Sequence, residues 1–187
     1  MWAVALAMGF AAAPAVSALP QAGCSAHIAP ESSSASFIVG VRVPIRAEGR
    51  FNQIAGQLSL RPEGCEVAVR LDATAVVYTG PNWLADLSRS PTFLDVDAHP
   101  EISFVSHPFP AAWLLEGGAL RGTLRLRGRE RPVEFRLQPS GCDSPGKACP
   151  IVVRGSVNRR EFGMQAYRFA VKDAVQFEFS IRLEPTP

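Results

Sequence analysis

The chain has 187 residues, 47% hydrophobic and 19% charged, with 16 prolines and 15 glycines. That length and balance suit one folded domain with at most an appendage, and they exclude a disordered or low-complexity chain. A formal net charge of +2 is too small to make nucleic acid the default partner, and among the 19 basic residues only Lys147 and Lys172 are lysine.

The first element in chain order is an apolar, alanine-rich run from Met1 to Ala18, with no charge before Glu31. It is short for a membrane span. It ends in Val16-Ser17-Ala18, small residues at the positions a signal peptidase reads. Residues 1–18 are therefore expected to be a removed signal peptide, which would send the protein to the periplasm or outside the cell. The usual positive start is missing, and the alternative is a buried hydrophobic helix. A lipoprotein signal would acylate Cys24, but it wants Leu where Gln21 stands. Residues 19–33 read as an N-terminal segment and 34–187 as the folded domain.

From there alternation dominates. Every second residue is apolar at Phe37, Val39, Val41 and Val43, and again at Cys65, Val67, Val69 and Leu71. The pattern returns at Leu120–Leu126, Val133–Leu137, Ile151–Val157 and Val175–Leu183, with polar residues between. Gln57–Arg61 and Glu101–His107 add two strands, making eight. A period of two puts each apolar set on one face of a strand. Only Asn82–Ser90 breaks the rule. Asn82 can cap a short helix carrying Trp83, Leu84 and Leu87, and Pro91 stops it.

One apolar and one wet face per strand is the mark of an antiparallel sheet around a single core. The expected fold is all-β, an eight-stranded antiparallel barrel with one short helix; a two-sheet sandwich is the alternative. Phe37, Val39, Val69 and Phe104 would face inward, as would Leu124, Phe135, Phe177 and Phe179. Periodicity alone leaves two readings of that interior: a packed core, or a tunnel for an apolar chain.

Four cysteines, Cys24, Cys65, Cys142 and Cys149, fit two disulfides in an exported chain. Three connectivities are open. Cys142 and Cys149 flank the turn-rich DSPGKA, so a bridge there is the simplest, which leaves Cys24 with Cys65.

Catalytic signatures are missing: the chain has no G-x-S-x-G, H-E-x-x-H, P-loop or G-x-G-x-x-G. Asp95, Asp97 and His99 form a D-x-D-x-H string, which reads as a polar turn with Asp95 at its start rather than a metal site. No metal or cofactor is expected. Arg121, Arg125, Arg127, Arg129 and Arg131 line one strand and its turn. Arginine suits phosphate, so peripheral contact with phospholipid head groups is one reading. Glu130 and Glu134 among them favour a solvated strand face. No aromatics interleave to stack on bases, so single-stranded nucleic acid is not expected.

Several stretches resemble one family. Phe93-Leu94-Asp95 followed by His99-Pro100 and Phe104-Val105-Ser106 resembles the "FLD…yP…F.S" stretch of the YceI-like polyisoprenoid-binding proteins. Gly122-Thr123-Leu124 through Gly128, then Arg131-Pro132-Val133, resembles their "v.G.LtlhG…rPV". Asn158-Arg159-Arg160-Glu161-Phe162-Gly163-Met164 resembles "inRsdFGm", and Gly49-Arg50-Phe51 with Gly56 resembles the early "G.F…G" turn. Their order and spacing run from about Ser34 to Glu184. The resemblance implies a lipocalin-like barrel whose tunnel holds a long isoprenoid chain, such as a quinone tail or polyprenyl phosphate, and a carrier rather than an enzyme. The eight inward residues would then line the ligand. The chain departs from the family at Glu31-Ser32-Ser33, which lacks a His, and at Leu84-Ala85-Asp86-Leu87, which lacks an Arg-Asp pair. The alternative is a filled-core protein acting through its surface in an envelope or stress-response complex.

Overall fold

Alternation becomes structure most plainly along β8 (Gly118–Leu126). Leu120, Leu124 and Leu126 are buried there while Arg121, Thr123 and Arg125 are exposed. β8 turns into β9 (Arg129–Leu137) through Arg127 and Gly128, at φ 51° and 67°. Positive φ at both central positions is what a two-residue type I′ hairpin loop requires.

The computed structural model describes residues 24–41, 46–79 and 82–185. The expected signal peptide at 1–18 and the inward position of Val43 lie outside the described residues. The other elements, in order, are β1 (Ala26–Ile28), β2 (Ser34–Val41), β3 (Arg46–Phe51), β4 (Ile54–Arg61), β5 (Gly64–Asp72) and β6 (Val76–Thr79). Then come α1 (Asn82–Arg89), β7 (Glu101–Ser106), α2 (Trp113–Glu116), β10 (Ile151–Asn158), β11 (Val171–Ile181) and β12 (Leu183–Pro185).

All twelve strands form one sheet, in the order β12-β1-β4-β5-β7-β8-β9-β10-β11-β2-β3-β6, and every neighbouring pair is antiparallel. The sheet rolls up. β1 and β2 are consecutive, and so are β11 and β12; β2 pairs with β11 while β1 pairs with β12. The start of the described chain thus lies against its end.

The expected count of eight is corrected to twelve. The strands not foreseen are β1, β3 and β6, and the expected Val175–Leu183 strand is divided into β11 and β12. β3 carries its inward face on Ala47, Gly49 and Phe51, so small residues hide the alternation. β6 follows the turn at Asp72–Ala75, where the Asp72 carboxylate accepts from the Thr74 amide at 2.8 Å. β1 has three residues, too few to show a period. β1 also brings the sheet ahead of the boundary drawn at residue 34. The one-turn helix α2 was not foreseen, whereas α1 matches the expected Asn82–Ser90 segment and stops at the Ser90-Pro91 step.

Aromatic rings pack the interior where glycine makes room. A Cβ on Gly49 would sit 2.4 Å from the Phe37 ring across the β2–β3 ladder, and one on Gly155 would sit 2.4 Å from the Phe135 ring. Phe104, Phe135, Phe177 and Phe179 follow in one chain of contacts, with centroids 5.2 to 6.4 Å apart.

Candidate functional site

The interior holds three apolar cavities in line. The largest, about 320 Å³, lies at the α1 end. Phe37, Val39 and Tyr78 form part of its wall, Leu84 and Leu87 on α1 another, and Met164 and Tyr167 a third. A smaller cavity of about 70 Å³ lies at the other end, against Ile28, Leu58, Leu114, Ile151 and Leu183. A void of about 20 Å³ sits between them. Phe177 bounds the large cavity and the middle void, while Phe104, Phe135 and Phe179 bound the middle void and the small cavity. The four rings are therefore a partition.

All eight inward residues named from sequence line one of these spaces. Phe37 and Val39 face the large cavity, and Leu124 the middle void. Val69, Phe104, Phe135 and Phe179 face the small cavity and the void, and Phe177 stands at the junction. The large cavity's other wall residues were not foreseen as lining. Trp83, Leu84 and Leu87 are helical; Phe93, Leu94, Met164 and Tyr167 lie in loops, where a period of two says nothing. Phe93, Leu94 and Met164 do sit inside the family-like stretches.

Arg159 anchors the loop that walls the large cavity. Its side chain is 1% exposed. Nε donates to the Lys172 carbonyl at 3.1 Å, one terminal nitrogen to Met164 and Ala166 at 2.6 and 2.8 Å, and the other to Val171 at 3.2 Å. Asp173 lies 3.5 Å away, and the Phe93 ring centroid 5.8 Å. Burial pulls the guanidinium below its ordinary pKa and Asp173 opposes that; an arginine keeps its charge in any case. Arg127 is a second tie. It was expected on a solvated face, and the structure corrects this: its guanidinium donates to the Gly163 and Pro91 carbonyls, joining two loops of the rim. Arg121 keeps the expected outward role, paired with Glu134 at 2.8 Å.

Tyr78 is the wall's unusual polar group. Its hydroxyl is buried without a hydrogen-bond partner. Burial pushes the phenol up to about 12, with Ser88 and Arg89 opposing. The D-x-D-x-H string forms a turn in which the Asp95 carbonyl accepts from Ala98 and His99. Among the described residues no three His, Cys, Asp or Glu side chains group as metal ligands, and no helix is long and apolar enough to cross a membrane.

Two disulfides, Cys24–Cys65 and Cys142–Cys149, lie at the end away from α1. The first ties the segment before β1 to β5. The second closes a loop that accepts the Leu183 amide on the Gly146 carbonyl at 2.8 Å.

An antiparallel sheet rolled around carbon-lined cavities is the class of structure these contacts define. The chain belongs to the YceI-like domain family, whose model matches residues 27–183. No curated protein matches it significantly. Among solved structures it is similar to BcnA of Burkholderia cenocepacia, with a TM-score of 0.66 and 18% identity over 82% of this chain and 98% of the other. It is also similar to a polyisoprenoid-binding domain from Saccharophagus degradans implicated in plant cell wall breakdown, with a TM-score of 0.65 and 15% identity over 87% and 99%. The YceI protein of Campylobacter jejuni matches at a TM-score of 0.57 and 13% identity over 74% and 85%. At these identities the likeness is one of fold.

Proposed function

We propose that this is an exported, lipocalin-like lipid-binding protein that holds a long isoprenoid chain, of the quinone or polyprenyl phosphate type, without transforming it. The observation that carries the reading is the 320 Å³ apolar cavity inside a YceI-like fold. An apolar cavity of about 150 Å³ already holds a benzene ring. Trp83 and Tyr167 line the cavity and are 57% and 55% exposed, so it reaches the surface between them. The smaller cavity lies in line behind the ring partition and would take more of the chain. The description of the Saccharophagus domain as polyisoprenoid-binding supports the same ligand class. Two disulfides and the apolar start of the chain support export.

The energetics suit a chain. At about 0.8 kcal/mol per buried carbon, one five-carbon unit gains roughly 4 kcal/mol gross. Ordering a floppy chain opposes that gain, and non-covalent affinity saturates near about 20 kcal/mol. Affinity should rise with chain length and then flatten.

The test is organic extraction of protein purified from several hosts, followed by mass spectrometry. A co-purifying polyprenyl species is expected; empty extracts throughout would overturn the reading. N-terminal sequencing of protein from the periplasm should give a start near Leu19, and an intact Met1 would overturn export. A filled-core protein acting through its surface is the second reading. The tight packing of Phe104, Phe135 and Phe177, each at most 8% exposed, favours it for the ring partition between the cavities.

A further inference from the structure

The large cavity opens beside a loop whose tip is apolar, cationic and firmly held. Phe169 is 76% exposed, the most exposed of the large hydrophobic residues in the described chain. The Arg168 guanidinium lies 4.9 Å from its ring centroid. Tyr167 stacks on Phe93 at 6.0 Å. Its carbonyl accepts from the Ala170 and Val171 amides at 2.9 and 2.8 Å, which makes the tip a tight turn. Arg159 pins the base of the same loop through four carbonyls. Phe169 is thus presented on a built scaffold. Trp83 on α1 stands on the same cavity rim.

Charge accompanies the aromatics. From Gln165 to Lys172 the loop and the start of β11 carry Arg168 and Lys172, both exposed, and no acid. The next acid, Asp173, lies 3.5 Å from both Arg159 and Arg160. Exposed Trp, Tyr and Phe beside Arg and Lys match the chemistry of a bilayer interface, where aromatic rings sit at head-group depth and cations meet anionic lipid. The opposite end of the sheet is cross-linked by both disulfides and lacks this pairing of exposed ring and cationic loop among the described residues.

We infer that the rim formed by Trp83, Tyr167, Arg168 and Phe169 docks on the surface of an anionic lipid bilayer, with the cavity mouth facing the membrane. Phe169 and Trp83 enter the interface, and Arg168 and Lys172 meet lipid phosphates. A chain leaving the bilayer would then pass into the large cavity without crossing water. This deepens the carrier reading and rests on it for its purpose, but its test does not use a bound chain.

The test is flotation of delipidated protein with phosphatidylcholine vesicles, with and without phosphatidylglycerol. The intact protein should float with the anionic vesicles, lose that binding at high salt, and show a blue shift in Trp83 fluorescence. Phe169→Ala and Trp83→Ala should each weaken binding about ten-fold, and Arg168→Glu at least about five-fold. Leu115→Ser, an exposed apolar residue on α2, should leave it unchanged. The thermal midpoint of Phe169→Ala should match that of the parent, showing that the loss is not unfolding. The inference is overturned if neither vesicle binds, if the rim variants bind like the parent, or if sedimentation instead shows a dimer that Phe169→Ala dissolves. Empty lipid extracts with intact flotation would sink the carrier reading alone; a bound polyprenyl chain without flotation would sink the docking alone.

Discussion

Phe177 and Phe179 lie stacked on the inner face of β11, with ring centroids 6.1 Å apart and planes within 8°. Side chains two apart on a strand share a face, and here the pair closes the space between the large and small cavities.

That pair separates a ligand tunnel from a packed core. Phe179→Trp adds ring volume beside the 70 Å³ cavity, which has room for it. The delipidated variant is expected to lose less than about 1 kcal/mol by denaturant midpoint, whereas overpacking a filled core costs about 1–3 kcal/mol. Chain length in extracted lipid should shorten. A large destabilisation with unchanged lipid would remove this position from the tunnel. Glu178→Gln is the outward control. Glu178 pairs with Arg154 at 2.7 Å on the exposed face, and losing such a pair costs under about 1 kcal/mol.

Arg159→Met should be costly because it strips the carbonyls of Met164, Ala166, Val171 and Lys172 of their donor. The expected loss is about 3 kcal/mol or more, with faster hydrogen exchange from Met164 to Lys172. Arg160→Met, on the exposed side, should cost under about 1 kcal/mol. Equal effects from the two would show that Arg159 does not anchor the loop.

Tyr78 predicts an alkaline dependence. Its phenol is pushed from 10.0 up to about 12 by burial. The folded state therefore holds the proton more tightly than the unfolded chain. Its contribution is fully present below pH 10 and is lost as the pH rises toward 12. Relative to Tyr78→Phe, the parent should lose about 1 kcal/mol between pH 9 and pH 11. Parallel denaturation curves for the two proteins across that range would contradict the burial.

The bridges should differ in weight. Cys24–Cys65 spans 41 positions and Cys142–Cys149 spans 7. By chain entropy the first contributes about 4 kcal/mol and the second about 2.5 kcal/mol. Urea midpoints of the two double Cys→Ser variants should rank in that order. Peptide mapping of unreduced protein should recover both pairs, and four free thiols would contradict them.

The sheet was legible wherever large side chains alternate, as along β8 and β11, and the inward set from Phe37 to Phe179 follows directly from that alternation. Short strands without large inward residues were not legible, and β3 shows why: Ala47 and Gly49 face in, but neither is bulky enough to mark a face. Half the large cavity's wall was hidden for another reason. Met164 and Tyr167 are placed by a loop that Arg159 holds through backbone carbonyls, and Phe93 by a loop that Arg127 ties at the Pro91 carbonyl, acceptors that any residue supplies. Arg127 was misassigned because the hairpin turn reverses its direction at φ 51°.

The ladder between β1 and β12 has a kinetic consequence. Ala26 faces Pro185 there, and the Ser33 hydroxyl accepts from the Arg182 amide across 149 positions of sequence. No partial chain lacking β12 can complete that seam. On the ribosome the roll stays open until the last strand has emerged, and its closing step carries nearly the largest loop entropy this chain can present. Folding should accordingly be slow and late for the protein's size. In that interval the edge of β1 that β12 covers lies bare, and it is the surface a chaperone would have to cover.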